Sequence, residues 1–423
     1  MKEVVNISNH SKALQGLNLL TKNNDFLLLF LGRLVSNTGS AIFFISILWV
    51  TVSKLGGAAT VSFILMASAI PSIILSPFAG IWADRWKKKN ILVVTDLISG
   101  GLLLFLGLFL NLKLFQVWVL FSTVFAIQVC STIFSPALQS LIPSAVEDRS
   151  LSQANALISM TNNLSQLIGM AIGGVLISLV GLRAVILLDG ISFILSGISE
   201  MFIKAEDKKK EKRKLKGIFP DIKDGLKLIW SKVELKGLIS LEAIVDFFGT
   251  TIFVFIPLLA NDILKVGSSG LGFMQTMLGL GALLSTIILS FISEIERKYL
   301  LLSVAVVSSG LCLISIGLFT RYLSVLISLL VLGAALNLAN INQTIILQRG
   351  TPAELRGRIF AFRSTVNSGI RLFSYGFAGI IASVLPLSNI FVAFGVIIGI
   401  IGFFYLLIPG QLQNRDYLED KSR

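Results

Sequence analysis

Twelve apolar runs, each about 20 residues or longer, alternate with polar turns along this chain. The first six cover residues 26–53, 58–83, 91–110, 115–141 and 151–180, with a sixth ending near Ile203. The second six cover residues 237–260, 270–292, 299–319, 323–348, 359–385 and 389–408. A bilayer core about 30 Å thick needs about 20 helical residues to cross it. Within lipid each backbone polar group must be satisfied internally, which a helix does alone. The pattern therefore predicts an all-α polytopic membrane protein with twelve transmembrane helices in two six-helix bundles. Pro71 and Pro77 are expected to bend the second span.

The longest polar interruption, residues 204–236, carries twelve Lys/Arg and six Asp/Glu. Its second part places Ile222, Leu226, Ile229 and Trp230 at helical spacing among lysines. That spacing suits an amphipathic helix on the membrane surface; a loosely ordered basic linker is the other reading. The expected organisation is an N-terminal bundle with a polar leader (1–203), a cytoplasmic linker (204–236) and a C-terminal bundle with a polar tail (237–423).

Composition agrees with a membrane solvent. The chain is 54% hydrophobic and 14% charged, against about 25% charged residues in soluble domains. The net charge of +13 could suggest nucleic acid, but its distribution points elsewhere. Arg85, Lys87–Lys89, Arg149, the linker, Arg297, Lys298, Arg349, Arg356 and Arg358 fall in one alternate set of loops. The other set holds little beyond Lys54, Lys113, Arg183, Lys265 and Arg321. The positive-inside rule then puts both termini in the cytoplasm, with no nucleic-acid partner implied. The polar leader before the first long span is not a cleavable signal pattern. Cys130 and Cys312 lie inside spans as packing residues, and the single histidine is His10. Metal and Ser-His-Asp chemistry have little material here. No GxxxxGK[ST] loop is present for direct ATP use, and no cofactor is implied.

The halves echo each other at an offset of about 210 residues. The turn at Asp84 and Arg85 has a weaker counterpart at Glu294 to Lys298, and Pro143 to Arg149 has one at Thr351 to Arg358. Parallel six-helix repeats are a transporter architecture, with the substrate site near the midplane.

Between spans two and three stand Gly80, Asp84, Arg85, Lys88 and Lys89. This spacing resembles the signature of the major facilitator superfamily, though a second glycine common there is replaced by Trp86 or Lys87. In span one, Gly32, Arg33, Ser36, Asn37 and Gly39 are similar to the drug-exporter branch that holds macrolide-efflux proteins. Ser135, Pro136, Ala137, Gln139 and Pro143, followed by Ala154 and Asn155, are similar as well. Gly169, Gly173 and Gly174 in span five resemble an antiporter motif whose proline is absent here; close helix packing explains the glycines equally. The resemblance implies a bacterial plasma-membrane carrier, no enzyme activity, and multidrug export linked to antibiotic resistance. From the repeat, the turn of Gly80, Asp84, Arg85, Lys88 and Lys89 is expected to form a cytoplasmic gate with Arg356 and Arg358 at the start of span eleven, Arg358 being the expected partner of Asp84.

Ionisable groups inside spans are costly and mark function. Arg33 lies in span one, and Glu242 and Asp246 lie four residues apart on one face of span seven; they are expected to line the central substrate cavity from opposite halves, with Arg371 of span eleven also placed in that cavity. Two carboxylates in a poorly solvated cavity favour holding a proton, so the pair is the candidate proton carrier. A structural ion pair, with Arg371 of span eleven as partner, is the competing reading. Asp189 is a candidate cation-binding or locally paired group in the substrate cavity, and Asn37, Gln128 and Gln166 offer it neutral hydrogen-bonding groups. Asp96 reads as a structural partner of nearby basic residues. The expected function is proton-coupled export of a small amphipathic substrate by a monomer in contact with membrane lipids. A facilitator or importer of a metabolite or lipid is the alternative, and a non-transporting receptor a remote one.

Overall fold

The computed structural model describes residues 19–21, 23–109, 117–147, 150–204, 233–292, 297–351 and 353–405. All regular structure among them is helical. The helices are α1 (Asn24–Val50), α2 (Ala58–Arg85), α3 (Lys88–Phe109) and α4 (Val117–Ala145). Leu151–Met201 follows as one assigned helix of 51 residues, too long for one crossing. Gly181 breaks it, with φ 81° and ψ 158°, a conformation open to glycine and strained for other residues. We label residues 151–180 α5 and residues 182–201 α6. Then come α7 (Val233–Thr250, carried on by Ile252–Leu258), α8 (Gly267–Ser290), α9 (Lys298–Leu318), α10 (Tyr322–Gly350), α11 (Ala353–Val384) and α12 (Leu387–Phe404). The surface helix expected around residues 222–230 lies outside the described residues.

Among the described residues, ten helices are long and apolar enough to cross a membrane. Dividing one of them at Gly181 makes eleven. The twelfth is α11, whose 32 residues are ample in length but include Arg356, Arg358, Arg363 and Arg371. The first span runs past its expected end at residue 53. The helix runs on through Thr51–Leu55 with π spacing, and Gly56 and Gly57, both at positive φ, reverse the chain.

The chain divides into two units. The first comprises residues up to Thr51 and Ala67–Arg213; the second comprises Val52–Met66 and Lys214–Arg423. Helix α2 is thus shared, its first turns packing with the second unit.

In the first unit, α1 packs on the α5–α6 pair, and α3 packs on that pair and on α4. Asn23 ties one end together. Its side chain caps α1 by accepting from Phe26 N at 2.9 Å and donates to the Ala145 carbonyl at the end of α4 at 2.6 Å. The Lys204 amide after α6 donates to Asp25 at 3.0 Å. A core of Phe26, Leu29, Leu92, Leu141 and Ala154 fills this end. At the Gly181 end, Ala41, Ile45, Met170, Ile177 and Val185 form a smaller one.

The second unit has the matching pairs α7 on α11 and α9 on α12 and α10, and adds α8 on α10. Its core is rich in phenylalanine. Phe247 meets Phe377 with ring centroids 5.2 Å apart, Phe248 meets Phe394 at 4.7 Å and Phe255 meets Phe391 at 5.7 Å. Tilted and edge-on pairs of this kind add to simple area burial.

Glycines set the closest crossings in both units. A Cβ on Gly100 of α3 would stand 2.8 Å from the Gly190 carbonyl of α6. A Cβ on Gly310 of α9 would stand 2.5 Å from the Gly395 carbonyl of α12. Gly107 and Gly317 mark second crossings, on Leu187 and on Ser388, in the same helix pairs. Gly100 and Gly107 precede Gly310 and Gly317 by the 210-residue offset of the sequence repeat. Without a water-driven hydrophobic effect, lipid-embedded helices associate through such close van der Waals contact.

Candidate functional site

Each unit buries charge among its spans. In the second unit the centre is Glu242 of α7, 3% exposed. Arg363 of α11 approaches it from the side: Nε donates to Oε1 at 2.6 Å and Nη2 lies 2.6 Å from the same oxygen. The rest of the guanidinium is held by α10. Nη1 donates to Thr344 Oγ1 at 2.9 Å and Nη2 to Asn340 Oδ1 at 2.9 Å. Asn367 Nδ2 adds a long contact of 3.4 Å to Oε1. One carboxylate oxygen thus takes every contact, and the buried Oε2 has no hydrogen-bond partner. Asp246, one turn on and half-buried, lies within electrostatic reach of Glu242, Arg363 and Arg371. Beside the pair, Gln343 donates to the hydroxyl of the fully buried Tyr405 at 2.9 Å.

The ion pair corrects one expectation. A structural ion pair with Arg371 was the competing reading for the α7 carboxylates; Arg363, two turns nearer the start of α11, takes Glu242 instead. Arg371 is itself exposed. Counting charges within apolar runs does not distinguish two arginines eight residues apart; the depth of Glu242 against α11 does.

In the first unit Arg33 of α1 donates to Asn37 Oδ1 at 2.5 Å, and Asn37 donates to Asn162 Oδ1 of α5 at 2.5 Å. The Arg33 guanidinium also stands 4.5 Å over the Phe134 ring, a cation–π contact. Its charged neighbours are Asp96 of α3 and Glu200 of α6, which are 2% and 0% exposed. Neither Glu200 oxygen has a hydrogen-bond partner. The sequence reading missed Glu200. Its signal was an acid three residues before the end of a span, easily taken for the start of the polar linker.

Helix α5 carries an exposed polar face of Asn155, Ser159, Asn162 and Gln166, so Gln166 shares the face of the Arg33–Asn37–Asn162 chain. Gln128 does not join it; its amide donates to Ser72 of α2 at 3.1 Å. Asp189 does not join it either. It packs against Gly39, on a side of α1 turned away from Arg33 and Asn37. Gly169 and Gly173 bring α5 onto α1: Cβ atoms there would lie 2.6 Å from the Ala41 Cβ and 3.0 Å from the Ile42 Cα.

At the α2–α3 turn, Arg85, Trp86 and Lys87 are exposed, whereas Lys88 opens α3 and is buried. Lys89 is half-buried. Exposed Arg356 donates to the Thr351 carbonyl at 3.2 Å. The surroundings of Gly80 and the side chains of Asp84 and Arg358 lie outside the described residues, so the expected gate contact falls there too.

Two units with matching helix pairings, each with buried charge between apolar spans, define a multi-pass membrane transporter of the major facilitator type. The comparisons make the assignment specific. Residues 20–414 match the family described as transmembrane secretion effector, and the chain belongs to that family. It is 24% identical to the uncharacterized MFS-type transporter YfiS of Bacillus subtilis (strain 168), over 96% of this chain and 98% of that protein. It is 20% identical to macrolide efflux protein A of Streptococcus pyogenes, over 81% and 85% of the two chains. The crystal structure of the nucleoside transporter NupG superposes with a TM-score of 0.71 at 12% identity, covering 91% of this chain and 99% of that one. At that identity the likeness is one of fold.

Proposed function

We propose that this transporter exports small amphipathic compounds in exchange for protons, by alternating exposure of its site to the two sides of the membrane. The observation that carries the reading is the α7 acid pair. Glu242 is buried and tied through one oxygen, with the other unfilled, and Asp246 stands one turn away, half-buried. Two neighbouring acids of unequal burial, facing one arginine, suit a group that gains and loses a proton. Protonation of Glu242 would weaken its hold on Arg363 and so differ in free energy between conformations. Coupling requires such a difference, since a ligand bound equally by two states shifts neither. The relative named for macrolide efflux and the low polarity of the spans support an amphipathic cargo.

In this reading the basic loops lie on the cytoplasmic side of a bacterial plasma membrane, with both termini there. The bundles 1–203 and 237–423 work as one monomer among lipids. Reconstituted in proteoliposomes with an imposed pH gradient, the Asp246→Asn variant should insert normally and lose gradient-driven transport of macrolides and lipophilic cations by about 100-fold or more, the order of a lost acid–base group. Undiminished gradient-dependent transport would remove Asp246 from the coupling path. No gradient dependence for any transported compound in the parent protein would remove antiport altogether.

A further inference from the structure

On the same side of the unit as Gly181, residues of α1, α5 and α6 come together around an open space. The space encloses a cavity of about 320 Å³. Its walls are Leu34, Val35 and Ile42 of α1, Leu176 of α5, and Leu188 and Asp189 of α6. The mouth is apolar, with Val35 42% and Leu188 54% exposed. Leu188 begins a stripe along α6 that continues through Ile191, Leu195 and Ile198, all exposed. Four large apolar side chains at i, i+3 and i+4 spacing on the outside of a spanning helix face hydrocarbon. The cavity therefore opens to lipid.

Asp189 is the one charged group in the cavity wall among the described residues. It is 2% exposed. Its Oδ1 accepts from the Ser192 hydroxyl at 3.1 Å, and its Oδ2 has no hydrogen-bond partner. The space it occupies is made by a glycine: a Cβ on Gly39 would stand 2.1 Å from Oδ1. Its charged neighbour is another acid, Asp96, so among the described residues no cation offsets it. Eight residues beyond Gly181, it lies about 12 Å from the apex at 1.5 Å per residue, well inside a hydrocarbon half-thickness of about 15 Å.

We propose that this groove binds organic cations of amphipathic shape taken directly from the bilayer, with the positive group on Asp189 and the apolar body along Val35, Ile42, Leu176 and Leu188. An uncompensated carboxylate at this depth is expensive and takes up a proton unless a cation stands beside it; a small hydrated ion cannot enter through lipid to do so. A lipophilic cation already dissolved in the membrane can. The volume lies at the lower end of small-molecule pockets, which run from about 300 to 1,000 Å³. The groove is separate from the Arg33–Asn37–Asn162 chain, since Asp189 packs against Gly39 on the other side of α1. It rests on the exporter reading only for its role as an entry site, and binding is measured without transport.

The test uses the full chain in lipid nanodiscs and tetraphenylphosphonium as the probe, with triphenylmethane as a neutral competitor. Saturable binding is expected, weakened at least tenfold by Asp189→Asn. Leu188→Trp, which blocks the mouth from the lipid side, should weaken it similarly. Leu195→Trp, on the same stripe but outside the cavity, should leave it unchanged. Equal binding by Asp189→Asn overturns the proposal, as does an absence of saturable binding to the parent. Equally effective competition by triphenylmethane overturns it too, and would leave an apolar groove for acyl chains. Asp189-dependent binding in a protein that exports nothing would defeat the exporter reading and leave the cation site standing.

Discussion

Arg363 holds its place through Glu242, Asn340 and Thr344 on two other helices, and that geometry decides how it responds to change. Removing one partner of a buried pair leaves an uncompensated charge, at a cost of about 3–5 kcal/mol, whereas replacing both by apolar groups is often close to neutral. Arg363→Met should therefore lower the thermal stability of the purified protein. Glu242→Met with Arg363→Met should recover most of that loss. Thermal unfolding in detergent measures both, and a double variant as unstable as the single one would mean that packing, not charge, sets the effect. The acids Glu242 and Asp246 were legible as a pair on one helix face because helical spacing is local. Their partner was not: Arg363 lies 121 residues away in sequence, and Arg371 carries the same chemistry on the same helix.

At the scale of elements, the crossing of α9 and α12 is a backbone contact. Cβ atoms on Gly310 and Gly395 would each stand 2.5 Å from the other's carbonyl oxygen. Gly395→Val should force the helices apart and cost about 1–3 kcal/mol, the range for overpacking, read as a lower unfolding temperature. Gly249→Ala is the comparison, since a Cβ there would meet only a Leu336 methyl at 3.9 Å; equal losses from both would show that the crossing is not tight. The repeat of these glycines at 210 residues was present in the sequence but hidden, because a glycine in an apolar run carries no sign of which neighbour it admits. Helix α11 shows the opposite case. Its arginines make it the least apolar span, yet its length and its place between apolar neighbours still identified it.

At the scale of the molecule, the prediction concerns sidedness. Cysteines placed at Lys54 and Arg321 should react with a membrane-impermeant maleimide on intact cells, while cysteines at Lys87 and Arg297 should react only after the membrane is opened. The native Cys130 and Cys312 are buried and give a low background. The reverse pattern would invert the orientation drawn from the basic loops, and with it the direction assigned to transport.

The linear chain by itself determined the solvent, the helix count and the repeat. Each follows from local quantities: the length of apolar runs, their spacing, and the charge of the loops between them. Tertiary structure alone decided which buried charges meet. It gave Glu242 to Arg363, set Arg33 between Asp96 and Glu200, and turned Asp189 away from the Arg33–Asn37–Asn162 chain into the cavity lined by α1, α5 and α6. The physical reason is that a helix fixes the angle of a side chain about its own axis, while the neighbour on that side is supplied by a segment whose arrival depends on packing along the entire fold.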